Sequence, residues 1–288
     1  MDDHNYENVI EIKNLCKTYD GFSLKNLNIT VPKGTIMGFV GQNGAGKTTT
    51  IKSILNIIKK EQGEIRLFGL DNEYEEITIK NRIGVVFDEL PFHEQLTPSQ
   101  LNKILTGIFS SWDDACFFHY LERFSLPQKK KIAAFSKGMK MKLQIAAALS
   151  HNAELLIMDE ATSGLDPVVR DELIDLLLDF ARDENHAILI SSHIVSDLEK
   201  LCDTIAFLHK GQLLLCEDKD ALRDEYALWH GTAEQLAERD DSAILSRRTT
   251  PYGAEALVRR EGVPAGSPLT PVSIEELFVQ MVKGEDRT

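Results

Sequence analysis

The chain has 288 residues, 43% hydrophobic and 27% charged, which fits one large or two modest soluble domains with a buried core and excludes collagen, coiled coil and general disorder. Its 32 Lys and Arg against 45 Asp and Glu give a formal net charge of -13, which argues against non-specific nucleic-acid binding, so no nucleic-acid partner is expected. No apolar run approaches the roughly 18 residues of a membrane span, and Met1 to Asn5 lacks the basic and apolar regions of a signal peptide.

In chain order, alternating Leu27, Ile29 and Val31 predict an antiparallel flank. Continuous apolar runs predict strands at Ile36–Val40, Ile83–Phe87, Leu155–Met158, Ile188–Ile190 and Ile205–Leu208, as in a parallel sheet covered on both faces. Helical spacing predicts helices over Lys47–Lys60 and Val169–Ala181. The stretch from about Glu94 to Ser150 lacks clear strands and reads as a mostly helical insertion. Together these predict an α/β fold. Cys16, Cys116, Cys202 and Cys216 form no CxxC pair or metal-ligand spacing and read as reduced thiols in or near the core. After Cys216 the chain becomes acidic and is interrupted by glycines and prolines. Ser273-Ile274-Glu275-Glu276 fits a capping box opening a last helix, with an apolar stripe of Ile274, Leu277, Phe278, Met281 and Val282. Residues 217–288 are expected to form an accessory domain outside the chemistry, with the stripe covered within it or by a partner.

The strongest motif is Gly41-Gln42-Asn43-Gly44-Ala45-Gly46-Lys47-Thr48, a GxxxxGK[ST] loop between a predicted strand and a predicted helix. Glycines let backbone N–H groups face phosphate oxygens, and the helix N-terminus adds positive potential. Lys47 would reach the β- and γ-phosphates and Thr48 would hold Mg²⁺. The second motif is the apolar strand Leu155–Met158 ending in Asp159-Glu160: one carboxylate to order the metal's water shell, the next to polarise an attacking water. Gly41, Asp88, Asp159 and His193 each follow a predicted strand, and open α/β sheets bind ligands at that edge.

In these motifs the chain resembles the nucleotide-binding subunits of ATP-binding cassette (ABC) transporters over roughly residues 8–216. Gly41 to Thr48 match the Walker A loop, 155–160 Walker B, Ser136-Lys137-Gly138-Met139 the signature, Ser163-Gly164-Leu165-Asp166 the D-loop and His193 the switch histidine. The resemblance implies a P-loop NTPase fold with a helical subdomain at about 94–150, a domain boundary at about 216, and ATP and Mg²⁺ as ligands. It implies nucleotide contacts from Tyr19, Gly41, Asn43, Gly44, Ala45, Gly46, Lys47, Thr48, Thr49, Ser136, Gly138 and Asp166. Metal contacts would come from Thr48, Asp88 and Asp159, and catalysis from Glu160 and His193. A second cassette, separate transmembrane permease subunits and a position on the inner face of the cell membrane are also implied. Among the family's branches the resemblance is to bacterial ABC-2-type exporters.

Three positions depart from the family pattern. Asp88 stands where a glutamine is usual, Lys137 replaces the first glycine of the signature, and Ala161 replaces a common proline. Two other readings stay open at this stage: a non-transport cassette ATPase, and a poorly hydrolysing regulatory cassette in a heterodimer.

Overall fold

Alternate residues of each buried strand face opposite layers, and this places the core sheet between two apolar cores. In the computed structural model, which describes residues 6–238, 243–250, 253–264 and 266–285, this central sheet has six strands. In spatial order they are β10 (Gln212–Asp218), β9 (Thr204–His209), β3 (Ile36–Val40), β8 (Ala187–Ser192), β7 (Leu155–Asp159) and β6 (Ile83–Phe87). Strands β9, β3, β8, β7 and β6 run parallel, and β10 closes the edge antiparallel to β9. Within β7, Leu155 and Ile157 enter one core while Leu156 and Met158 enter the other.

The first core is closed by an antiparallel sheet in the order β2 (Phe22–Pro32), β1 (Asn8–Tyr19), β4 (Gln62–Leu67) and β5 (Leu70–Asp71). Leu27, Ile29 and Val31 are buried there, as their alternation predicts. Helix α1 (Lys47–Ile54) lies in the same layer and is shorter than its apolar spacing suggests. Asn56 turns left-handed at φ 52, and its amide bonds Glu76 of α2 (Glu76–Lys80) at 3.1 Å. An asparagine in that conformation stops a helix almost as well as glycine.

Between β6 and β7 lie α3 (Pro98–Leu105), α4 (Asp114–Arg123) and α5 (Lys137–Leu149), with a core of their own that includes Phe117, Leu121 and Leu143. Each has a side-chain N-cap: Thr97, Asp113 and Ser136. The second core of the central sheet is covered by α5, by α6 (Pro167–Phe180), capped by Asp166, and by α7 (Val195–Leu201). All four cysteines are free, and burial pushes the Cys202 thiol up.

Residues beyond β10 contribute α8 (Lys219–Glu225), β11 (Tyr226–Gly231), α9 (Ala233–Ala237), β12 (Ile244–Thr250), β13 (Gly253–Arg259), β14 (Leu269–Thr270) and α10 (Ile274–Glu285). The strands form a third, antiparallel sheet in the order β12-β13-β11-β14. Sequence patterning misses this sheet. Both faces of its inner strands are covered: Ala227, Trp229, Ala254, Ala256 and Val258 enter one core and Tyr226, Leu228 and Leu257 the other, so these strands are short continuous runs without alternation. The capping box at Ser273 is present: the Glu276 N–H donates to Ser273 Oγ at 3.2 Å, and the Ser273 N–H donates to Glu276 Oε2 at 3.1 Å. The apolar stripe of α10 is covered partly within the C-terminal segment, by Tyr226, Leu228 and Leu257, and partly by the cassette layers. Ile274, Leu277, Phe278 and Val282 share a core with Leu198, Leu201 and Phe207, and the Phe278 and Phe207 rings meet edge to face at 5.1 Å.

Because that core is continuous, Phe278→Ala should lower unfolding stability by about 3 kcal/mol. Urea denaturation should show one transition displaced as a whole. Two separate transitions, with the parallel sheet unaffected, would contradict the shared core.

Candidate functional site

The parallel strands place their carboxyl ends side by side. The register pairs Val40 with Ser192, Asp159 with Ser191, and Phe87 with Asp159. The strand ends and the residues that follow them therefore gather along one edge, as the sequence predicts for Gly41, Asp88, Asp159 and His193, with Asp159 the last residue of β7.

The loop from Gly41 to Gly46 leaves β3 and enters α1. Gly44 and Gly46 have φ of 81° and 112°, where a side chain would be strained. A Cβ on Gly46 would also lie 2.7 Å from Leu24 and 2.8 Å from Phe22, so glycine lets the β1–β2 hairpin press on the loop. Ala45 is buried, Asn43 and Thr48 are exposed, and Thr49 is half-buried. Tyr19 stands at the tip of the same hairpin, 43% exposed, with the Lys17 ammonium 5.4 Å from its ring centre.

Lys47 is buried, and its ammonium donates to the Gly41 carbonyl at 2.6 Å. It also lies 3.0 Å from Glu160 Oε1. The other oxygen of Glu160 meets His193 Nδ1 at 2.6 Å and accepts from the His193 backbone N–H at 3.3 Å. Glu160 is thus the middle of a three-residue chain. Its backbone is left-handed at φ 54, an uncommon conformation for a residue with a side chain. Its N–H is held by the carbonyl and the hydroxyl of Ser191, each at 3.1 Å. Burial pushes the Glu160 carboxyl up, but Lys47 and His193 outweigh it and leave it below its ordinary value. The group is therefore ionised at neutral pH and can accept a proton from water.

Asp159 is buried beside it and accepts from Ser191 Oγ at 2.6 Å. The oxygen donors offered here by Thr48 and Asp159 suit Mg²⁺, which keeps most of its shell as water and phosphate and takes one or two protein oxygens. Among the described residues there is no cluster of three or more His, Cys, Asp or Glu that could hold a metal ion.

The other expected site residues make their hydrogen bonds and ion pairs elsewhere than with Lys47, Glu160 or His193. Ser136 caps α5, with its Oγ accepting from the Met139 N–H at 3.2 Å, and Gly138 sits in the first turn. Asp166 caps α6 through the N–H groups of Val168 and Val169, both at 3.1 Å. Asp88 is ion-paired with Lys137 at 2.6 Å. Two contributors escape sequence reading. Ser191 ties Asp159 to Glu160. Gln144, buried in α5, donates to the Phe87 carbonyl and accepts from the Phe87 N–H, both at 3.0 Å, fixing the residue before Asp88. The one sequence signal for Gln144 is a lone amide within an apolar helix face.

A family model described as ABC transporter matches residues 24–163. The bacitracin transport ATP-binding protein BcrA of Bacillus licheniformis is 40% identical over 209 residues, 72% of this chain and 68% of that protein. The ABC transporter ATP-binding protein YtrB of Bacillus subtilis is 30% identical and covers 97% of this chain and 100% of its own length. A solved ATP-binding subunit of an ABC transporter superposes with a TM-score of 0.66 at 27% identity, over 75% of this chain and 92% of that one. A phosphate loop joined through its lysine to a carboxylate and a histidine on adjacent strand ends, in a chain with these relatives, has one family meaning: the chain belongs to the ATP-binding proteins of ABC transporters, the subunits that bind and hydrolyse ATP to drive membrane transport.

Proposed function

We propose that Glu160 is the general base of ATP hydrolysis and that Lys47, Thr48, Asp159 and His193 complete the site. The observation that carries this reading is the chain from Lys47 through Glu160 to His193. A triphosphate in the loop competes with Glu160 for the Lys47 ammonium. Lys47 then faces the β- and γ-phosphates, and Glu160, still held by His193, turns to the attacking water. Thr48 and Asp159 would hold Mg²⁺, which when bound neutralises charge on the phosphates. Tyr19 stacks on the adenine, and the backbone N–H groups of the loop from Gly41 to Thr49 surround the phosphates. Asp88 adds a carboxylate next to Asp159, in keeping with a place in the metal's water shell.

The second cassette supplies what one chain lacks. Among the described residues, Ser136 and Gly138 make no hydrogen bond to Lys47 or Glu160. The exposed N-terminus of α5 is suited to a phosphate presented from outside the chain. In this reading two cassettes face each other, Ser136 and Gly138 closing the γ-phosphate side of the partner's site and Asp166 holding the loop between them.

The permease is proposed to dock in an apolar groove of about 270 Å³ lined by Ile57, Phe87, Phe92, Leu105, Phe109 and His151. Ile57 is 54% exposed. Phe87 lies one residue from Asp88, so an occupant there bears directly on the end of β6. Among the described residues no helix is long and apolar enough to cross a membrane, and a transport ATPase needs a subunit that does. The proposed setting is the inner face of the cell membrane. The bacitracin transport relative favours export of a peptide or other amphipathic cargo. Residues from about 217 onward are proposed as an accessory unit that steadies the cassette through α10.

Lys47→Ala should weaken ATP binding itself, read by calorimetry. Glu160→Gln should retain ATP affinity while steady-state hydrolysis falls by about 10²–10⁴. Hydrolysis near the native rate in Glu160→Gln would remove the assignment. In that same variant ATP should shift the mass measured by light scattering from one cassette to two, with the cognate second cassette present if the pair is heteromeric. A mass that stays at one cassette would count against the sandwich.

A further inference from the structure

Asp88 and Lys137, two of the three departures from the family pattern, touch each other. Lys137 Nζ lies 2.6 Å from Asp88 Oδ1, with both side chains about half exposed. A glutamine at position 88 needs no cation, and a glycine at 137 offers none. Each departure therefore supplies the partner that the other requires.

The pair joins elements that matter to the site. Lys137 is the first residue of α5, directly after Ser136. Asp88 follows β6, beside Asp159 in the register of β6 and β7. Left alone, its negative charge would stand next to Asp159 and Glu160 and oppose an incoming triphosphate. Lys137 offsets that charge. It also crosses the loop after Glu160: a Cβ built on Gly164, where φ is 68°, would lie 3.2 Å from Lys137 Nζ. A second tether runs parallel to the ion pair, from Gln144, about two turns further along the same face of α5, to both backbone polar groups of Phe87. A third, from Lys140 to Glu94, fixes the segment after Asp88. Helix α5 thus grips the end of β6 on both sides of the carboxylate.

We infer that Asp88 and Lys137 work as one intrachain unit, in which Lys137 is a positioning residue that holds the Asp88 carboxylate at the catalytic edge and ties the signature helix to its own chain's site. The inference rests on the hydrolytic reading above but is separable from it. Lys137 is here an electrostatic partner inside its own chain, where a signature glycine could only permit close approach.

A mutant cycle tests it. Lys137→Met and Asp88→Asn should each lower kcat about 10-fold, with KM for ATP and calorimetric ATP affinity changed less than about twofold, since misplacing a catalytic-edge group costs turnover rather than binding. The double variant should be no slower than the slower single. Lys137→Arg, which keeps the charge, should restore kcat to within about threefold of native. Raising salt should slow the native protein and leave the double variant unaffected, because a half-exposed pair is screened. Effects that multiply to about 100-fold in the double variant, or a Lys137→Arg as slow as Lys137→Met, would overturn the unit. Glu160→Gln run in parallel tests the hydrolytic reading independently, since its outcome does not depend on the cycle.

Discussion

The Glu160 carboxylate is shared between the Lys47 ammonium at 3.0 Å and the His193 ring at 2.6 Å, and most of the fold serves to make that sharing possible. Each of the three residues follows a different strand of the parallel sheet, so none reaches the others through local structure. They meet because β3, β8 and β7 are adjacent and in register at their carboxyl ends. The charge balance follows from the same contact. Burial alone pushes the half-buried Glu160 carboxyl up, and the two basic partners bring it below its ordinary value. Lys47 in turn is buried and needs the Gly41 carbonyl and the glutamate to satisfy its charge.

The backbone at Glu160 carries the cost of this arrangement. A left-handed glutamate persists only where surrounding contacts determine it, and here both the carbonyl and hydroxyl of Ser191 hold its N–H. Ser191 also donates to Asp159, so one serine sets the two carboxylates at the same time. On the far side of β7, Gln144 fixes the end of β6 through Phe87. The reacting edge is therefore braced by β8 from one side and by the signature helix from the other. The covering of the sheet's second core by α10 extends this bracing to the C-terminal residues.

The parts of this that the sequence made legible are those with local signatures. The glycine loop, the apolar strand ending in Asp159-Glu160, and the parallel strands are each encoded within a few residues. What escaped reading depends on contacts between distant segments. The end of α1 is set by Asn56 and its bond to Glu76, although apolar spacing continues past it. The C-terminal sheet is hidden because its inner strands are short runs buried on both faces, with no alternation to mark them. The α10 stripe could be read as apolar, but its partners, Leu198 and Phe207, lie some 70 residues earlier in the chain. Asp88 and Lys137 were both visible as unusual residues, while their pairing required the position of α5 against β6. The site residues themselves were chosen by motif, and the fold adds which of them stand together: Lys47, Glu160 and His193 in one chain, with Ser136 and Asp166 acting as helix caps apart from it.

Whether Glu160 and His193 act as a unit on the γ-phosphate is read most directly by single-turnover cleavage of γ-labelled ATP, which isolates that step from product release. Rates should be compared for the native chain with its cognate partners, for His193→Ala, for Glu160→Gln, and for the two combined. If His193 works by holding Glu160, the combined variant should cleave no more slowly than Glu160→Gln alone, because effects within one catalytic unit do not add. A combined variant slower by the full product of the two single effects would show that the residues act independently and would contradict the account.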